Sequence, residues 1–503
     1  MFYFCSTYLL PVSDLSTEPR PTVSESLPDP SVDRELVQND AEAMMTTHFR
    51  SNGMKHDPRG QARGIERLYL DFDSFFASAE QHFNPDLRDR PLGVVPLDSP
   101  HTGCIAVSRQ AKALGVKSGA TIAKAREIIP DMIFVVARHD VYVRLHKRIL
   151  DVIETVVPVA HVRSIDEVVC NLLPSEGNRA EDLARQLKTA LASAFSEVLT
   201  CSIGMAPTEL LAKIAAEMHK PDGFKLIHAC DLPQALSCVD LGDLPGISKG
   251  MRARLDAAHV RDFDGLWALA PKQARAIWGN VEGERFWNGL HGYHLERPPT
   301  QKSMFGHSRI LPRDWRNPEK VKICARMLTE SAGRRVRRAD VRATRLTLSF
   351  KGGARTASNK RSAGQRWDWE TSFLPARDDH TFLVALAGGL SEAERRMPFQ
   401  PRSVSVMIHG LIGKNEVMSD LFAESPSDSG GTCHTADRKR WEQVSDMMDG
   451  LRAKLGPQAL SIGPQTEIPG GYVGAKIAFG RIPDDADFSG RPVADQDTHF
   501  ASF

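Results

Sequence analysis

LYLDFDSFFASAEQHF, residues 68–83, decides the fold. The apolar Leu68-Tyr69-Leu70 run reads as a buried strand. It leads straight into two acids, Asp71 and Asp73, with Phe72 between them, and then into Phe75 and Phe76. Residues two apart in a strand point the same way, so the two carboxylates are expected on one face. Carboxylates held side by side repel each other and lose hydration, and the obvious compensation is a divalent cation.

A second acid pair sits in RSIDEVVCNLL (163–173), where Asp166 and Glu167 interrupt a β-branched run. Adjacent strand residues face opposite ways. Asp166 is therefore expected to join Asp71, and Glu167 to reach around at the strand end. Either acid pair alone has an ordinary reading as salt-bridged or helix-capping acids. Two pairs in one core point to carboxylates gathered around hard cations, with oxygen ligands suited to Mg²⁺ or Mn²⁺. Two such ions about 3.5–4 Å apart would activate an attacking hydroxyl and hold a leaving pyrophosphate.

The remaining strand-like runs include VLTCSIGMA (198–206). They alternate with amphipathic stretches such as RAEDLARQLKTALASAF (179–195) up to about residue 227, which predicts an α/β core. The 503 residues are enough for three or four domains, so the fold class is α/β (α+β) and multidomain. No apolar run is long enough to span a membrane. The start, MFYFCSTYLLP, has no basic segment ahead of its short apolar run and is not read as a signal peptide. Eight scattered cysteines without a CxxC pair suit a reduced, intracellular protein without a zinc ribbon or disulfide framework. Residues 1–63 are rich in Ser, Pro and Asp and read as a disordered extension, within which Met45 or Met54 are alternative starts.

The net charge of +1 points to no particular partner, but its distribution does. Residues 302–366 hold 18 Lys and Arg against 4 Asp and Glu, including GRRVRRADVRATR (333–345). That is the electrostatic footprint of a phosphate-backbone binder, with Arg334, Arg335, Arg337 and Arg338 as candidate DNA contacts. The bland alternative is a solvated helix face or a basic linker. DLGDLPGISKGMRARL (240–255) has the form of a helix-hairpin-helix. Gly246 and Gly250 would allow its tight turn, and the amides around Lys249 would hold a DNA phosphate. An ordinary helical hairpin is the alternative.

LDFDSFFASAE, RSIDE and SIGMAPTELLAKIAAEMHKPDG (202–223), in this order and spacing, resemble the motifs of Y-family translesion DNA polymerases, of the bacterial DNA polymerase IV type. The resemblance spans about residues 68–413. It implies a right-hand polymerase with a palm (64–74 and 138–227), fingers (75–137) and a thumb (228–295). A linker (296–302), a little finger (303–413) and a mostly flexible tail with one helix (414–503) would follow. It implies that Asp71, Asp166 and Glu167 are the catalytic, metal-binding acids and that the Phe72 carbonyl also touches a metal, while Asp73 is less critical. Phe76 takes the place of a steric gate that excludes a ribose 2′-hydroxyl; the bland reading of such a Phe is core packing. Lys220 matches a lysine that contacts the nucleotide phosphates, although a lysine there can also serve the helix dipole.

In the fingers the chain departs from the family. Arg109-Gln110-Ala111-Lys112 stands where Tyr-Glu-Ala-Arg is usual, so Arg109 and Lys112 are the expected phosphate contacts, with a point charge replacing a bidentate fork. MSDLF (418–422) is placed like the sliding-clamp peptide of bacterial polymerases, with Leu421 and Phe422 as anchors, but lacks the usual leading Gln. The resemblance thus implies a monomeric, cytoplasmic, nucleoid-associated enzyme of low fidelity. It would use primer-template DNA, dNTPs and two Mg²⁺ ions, with a sliding clamp as partner. The alternatives are a catalytically silent DNA-binding accessory subunit, which would normally have lost the acids, and another two-metal palm enzyme such as a nucleotide cyclase. The latter would have no use for the hairpin or the basic block.

Overall fold

The structure is a computed structural model that describes residues 64–96, 100–293, 302–352, 365–413, 433–455, 460 and 462–463. Strand β1 (Arg67–Phe72) passes through Asp73 and a left-handed Ser74 into helix α1 (Phe75–Phe83). A small sheet follows from β2 (Leu92–Val95), β3 (Ala106–Val107) and β4 (Ile133–Val136), in the order β3-β2-β4. Two short helices, Arg109–Ala113 and Ile122–Ile128, cover it. Helix α2 (His139–Glu154) returns the chain to β5 (Val159–Val162), β6 (Glu167–Asn171), helix α3 (Ala180–Ala194), β7 (Cys201–Ala206), helix α4 (Glu209–Met218) and β8 (Phe224–Leu226).

These strands form a five-stranded sheet, β5-β6-β1-β7-β8, with β1 at its centre. Strand β1 is buried on both faces, which is why its sequence shows no apolar-polar alternation. Leu68, Leu70 and Phe72 pack with Leu145, Ile149 and Leu187 of α2 and α3. Tyr69 points the other way, toward Leu211, Ala212 and Ala215 of α4. Asp71 shares the parity of Tyr69 and so lies on the α4 side. Gly204 of β7 pairs with Tyr69 and lets α4 approach closely, since a Cβ there would lie 2.0 Å from the Ala212 carbonyl oxygen and 2.3 Å from the Ala216 nitrogen. Short helices fill residues 229–290, among them α5 (Lys249–Ala257).

A second core lies beyond. Strands β9 (Met304–Ile310), β10 (Val341–Lys351), β11 (Arg366–Ala376) and β12 (Ser403–Gly413) form a sheet ordered β11-β10-β12-β9. Helices α6 (Pro318–Arg338) and α7 (Asp379–Arg396) bury one face of it through Leu346, Leu348, Phe350, Val404, Val406 and Ile408. Helix α8 (Cys433–Leu455) packs beside α7. Its Glu442 takes both guanidinium nitrogens of Arg342, and its Ser445 hydroxyl accepts the Asp379 amide at 3.0 Å.

Candidate active site

Antiparallel pairing puts Asp71 directly opposite Glu167. Cross-strand partners share a face, so Glu167, not Asp166, is the strand neighbour of Asp71. This reverses the sequence expectation, and the reason is local. Strand β6 begins only at Glu167, and Ser164 to Asp166 form a bend outside the ladder, where alternation does not apply. The Ser164 hydroxyl bonds the Asp166 carboxylate, and the Asp166 carbonyl accepts the Phe72 amide at 2.9 Å. Asp166 thus enters the site from the turn.

Burial pushes Asp71 up to about 8, outweighing the opposing pull of Lys220, with Glu217 and Asp166 adding to the rise. Burial also raises Asp166, against its bond to Ser164 and with help from Glu167. Each carboxylate sits in another's field, with little water to share the charge. Two lysines answer them. Lys220 Nζ lies 2.7 Å from Asp71 and 3.0 Å from Glu217, and Lys213 Nζ lies 2.6 Å from Glu167. Burial works to lower Lys220, but Asp71 and Glu217 prevail and lift it to about 12. Among the described residues no group of three acidic, histidine or cysteine side chains stands in a chelating arrangement, and the Lys220 and Lys213 ammonium groups lie on carboxylate oxygens of Asp71 and Glu167. The donor set nevertheless fits a hard divalent ion: three oxygen ligands, two of them raised by burial and all on or beside one sheet face.

Asp73 has a different occupation. Its carboxylate accepts from the Ser202 hydroxyl (2.9 Å), the Thr200 hydroxyl (2.9 Å) and the Asp222 amide (2.8 Å). It braces the loop that carries Lys220. Arg109 donates to Thr200 Oγ1 at 3.4 Å, so it borders the same corner. Lys112 is exposed in area, yet loss of water around its ammonium and then Lys220 hold it below the usual lysine range, against Asp73 and Asp71. Lys112 therefore shares an electrostatic cluster with Asp71 and Asp73, and Arg109 borders it through Thr200. Phe75 and Phe76 are both buried, and the Phe76 ring stacks on Tyr142 with centroids 4.8 Å apart.

The impB/mucB/samB family profile matches residues 70–217, and the profile of that family's C-terminal domain matches residues 302–421. A DNA polymerase IV of Moorella thermoacetica is 32% identical over 293 residues, covering 56% of this chain and 72% of that protein. The chain belongs to the Y-family of DNA polymerases. A DNA polymerase IV of Pelotomaculum thermopropionicum is 29% identical over 376 residues, 71% of this chain and 88% of that protein. Among solved structures, a Y-family DNA polymerase chimera of Dbh and Dpo4 is covered completely by 69% of this chain, at a TM-score of 0.59 and 22% identity, which supports the right-hand fold. The polymerase is a nucleotidyltransferase of the translesion type, and its family works with divalent metal ions.

The polymerase uses its basic block in more than one way. Arg337 is not on the surface: its side chain is 3% exposed, and its guanidinium holds Asp379 at 2.9 and 3.0 Å and Asp449 at 2.6 and 3.1 Å. It departs from the expected DNA contact because both forks are already filled. Arg335 donates to the Gly306 carbonyl at 3.2 Å and lies over the Phe305 ring. Arg334 is half-buried, and loss of water and Arg452 hold it below the ordinary arginine range. Arg338 alone of the four is exposed. In the hairpin, Gly246 has the positive φ of 93° that the turn requires, with Lys249 exposed at the start of α5. Gly250 lies within α5 and makes no turn, so only Gly246 needs to be glycine there on backbone grounds. Leu421 and Phe422 lie outside the described residues. Sequence reasoning missed Lys213. The signal was a lysine within LLAKIAA (210–216), otherwise apolar, which demands an acidic partner.

Proposed function

We propose that Asp71, Asp166 and Glu167 hold two Mg²⁺ ions, with the Phe72 carbonyl as a further ligand, and that the enzyme adds dNTPs to a primer 3′-hydroxyl. Mn²⁺ shares the same oxygen preference. The observation that carries this reading is the Asp71–Glu167 cross-strand pair with Asp166 bonded in from the adjoining turn. The bound ions would supply Lewis-acid activation of the hydroxyl and neutralise charge on the triphosphate.

The chain's own residues do the rest. Lys220, Lys112 and Arg109 offer positive charge to the triphosphate, and the first-turn amides of α1 add the positive end of a helix dipole. Phe76 meets the sugar and rejects a 2′-hydroxyl by clash. The turn at Gly246 and Lys249 grips a DNA phosphate without reading sequence. The sheet face turned away from α6 and α7 presents Arg345, Thr347, Ser349, Lys351, Arg366 and Ser405, with Glu370 and Asp368 paired to Arg345 and Arg366 among them; a duplex backbone would exchange those exposed pairs for phosphate contacts. The small fingers sheet checks pair geometry weakly, which favours lesion bypass over fidelity. Leu421 and Phe422 dock a sliding clamp, and the enzyme acts as a monomer at the nucleoid in the cytoplasm. Among the described residues no helix is long and apolar enough to cross a membrane.

Primer extension with Mg²⁺ and dNTPs tests the reading. Wild type is expected to extend an undamaged primer distributively, and the Asp166→Ala, Glu167→Ala double variant to lose extension while keeping DNA binding. Wild-type protein that binds primer-template tightly and extends nothing would overturn it.

A further inference from the structure

Phe76 and Glu80 lie one turn apart on α1 and face the same neighbour, helix α2. The Phe76 ring stacks on Tyr142 (centroids 4.8 Å apart, planes 29° apart) and meets the edge of His139 at 6.1 Å. His139 also meets Tyr142 edge-on at 5.9 Å. Tyr142 is fully buried, and its hydroxyl donates to Glu80 Oε1 at 2.6 Å. Arg138, just ahead of α2, closes the group by donating from Nε to Glu80 Oε1 at 3.0 Å and from Nη2 to Oε2 at 2.6 Å. Glu80 is 2% exposed in its side chain.

A carboxylate in such a place is costly, and an aliphatic side chain would fill the space at less expense. What the carboxylate adds is direction. It fixes the far end of the Tyr142 ring, so that the ring cannot slide or tilt along its stack with Phe76. Exclusion by clash needs a wall that does not yield. Contact repulsion is steep, and a ring free to recede by a few tenths of an ångström would admit one more hydroxyl oxygen.

We propose that Tyr142, Glu80 and Arg138 are positioning residues that buttress Phe76 and set how strongly the enzyme discriminates between deoxyribonucleotides and ribonucleotides. This rests on reading Phe76 as the gate. None of the three needs to touch the nucleotide. They act through the Phe76 ring, so their removal should relax sugar selection more than it slows dNTP insertion.

The test measures single-nucleotide insertion of matched dNTP and rNTP opposite an undamaged template base. It compares wild type with Phe76→Ala, Tyr142→Phe and Glu80→Gln. Phe76→Ala is expected to raise the rNTP-to-dNTP ratio of kcat/KM by a hundredfold or more. Tyr142→Phe keeps the stack and removes only the hydroxyl; Glu80→Gln keeps the shape and removes the charge. Each is expected to raise the ratio about tenfold, the equivalent of one lost hydrogen bond to a charged group. The change should fall mainly on the rNTP, with dNTP efficiency moving much less. A purely structural role would lower both efficiencies together and leave the ratio alone. If Phe76→Ala raises the ratio and neither other variant does, the buttress is refuted and the gate stands. If Phe76→Ala leaves the ratio unchanged, the gate reading fails and the buttress fails with it. Tyr142→Phe decides the question alone should Glu80→Gln not fold.

Discussion

Asp71→Asn should stabilise the metal-free polymerase while abolishing its activity. The structure gives the size and the sign. Asp71 is 8% exposed, and burial lifts it from an ordinary 3.8 to about 8. At pH 7 the unfolded chain carries this acid ionised, whereas burial draws the folded chain toward the protonated acid and Lys220, 2.7 Å away, draws it back. Proton uptake on folding then costs at most about 4 kcal/mol. Asparagine has no proton to take up. Part of the gain is returned because Lys220 loses one of its two acids and keeps only Glu217. The net expectation is roughly 1–3 kcal/mol in favour of Asn at pH 7. A raised acid leaves the folded state holding more protons than the unfolded state between pH 4 and 8, so wild-type stability falls as pH rises through that window. The advantage of Asn should therefore be near zero at pH 4 and largest near pH 8. Millimolar Mg²⁺ should reverse the order, because only wild type gains the mass-action stabilisation of a bound ion and releases its proton on binding. Urea unfolding of both proteins from pH 4 to 8.5, in EDTA and in Mg²⁺, measures this. An Asn variant that is weaker than wild type in EDTA at pH 8, or equally displaced at every pH, would refute the reasoning. It would mean that Lys220 already compensates Asp71 and that the carboxylate is not held in wait for a cation.

Two further outcomes follow from the packing. Gly204→Ala should cost about 3 kcal/mol or more, since its methyl group would meet α4 backbone that cannot rotate away. Because α4 carries Lys213 and leads into Lys220, kcat should fall with the urea midpoint; a variant of wild-type stability would show that α4 lies further from β7. Asp379→Ala should cost about 2 kcal/mol, because buried Arg337 loses two of its charged hydrogen bonds and keeps only Asp449, and adding Arg337→Met should recover part of it. Urea unfolding followed through tryptophan fluorescence reads both steps, and an Asp379→Ala variant as stable as wild type would contradict the buried pair.

The strand and its acids were legible from residues 68–73, because a β-run ending in closely spaced carboxylates has few other uses, whereas the turn at Ser74 and the helix that follows were not read. Asp166 does join Asp71, but the route was misread, since Glu167 is the cross-strand neighbour. Alternation was applied to Asp166 and Glu167 as if both lay in the ladder, whereas Ser164, two residues before Asp166, bonds its carboxylate and holds the chain in a bend. A serine spaced in this way before an aspartate is itself a turn signal. The role of Asp73 was invisible for another reason. Its three donors come from residues 200, 202 and 222, far off in the chain and brought in only by β7 and the loop after α4.

The basic block shows the same limit from the side of charge. Counted along the chain, residues 302–366 look like a uniform cationic surface. In the fold, Glu330, Gly333 and Arg337 form one buried stripe of α6 at helical spacing. Gly333 clears the space for Asp379, whose carboxylate oxygen would lie 2.6 Å from a Cβ there. Helix α8 then brings Asp449 to Arg337, Glu442 to Arg342, and both Glu442 and Asp446 to Arg377. The acids that neutralise these arginines lie up to 112 residues away in sequence. What remains on the open face of the four-stranded sheet, Arg345, Lys351 and Arg366, is a smaller set than the count implied, but it lies on one face. Helix α8 therefore sorts the arginines. Those on the helical side are spent on internal acids; on the opposite face Arg345 and Arg366 also have acids, Glu370 at 3.7 Å and Asp368 at 2.6 Å, but these pairs are exposed, so a phosphate backbone can compete for the cations there. Charge density along a sequence measures how much cation a domain contains, and only the placement of its acids decides which face can use it.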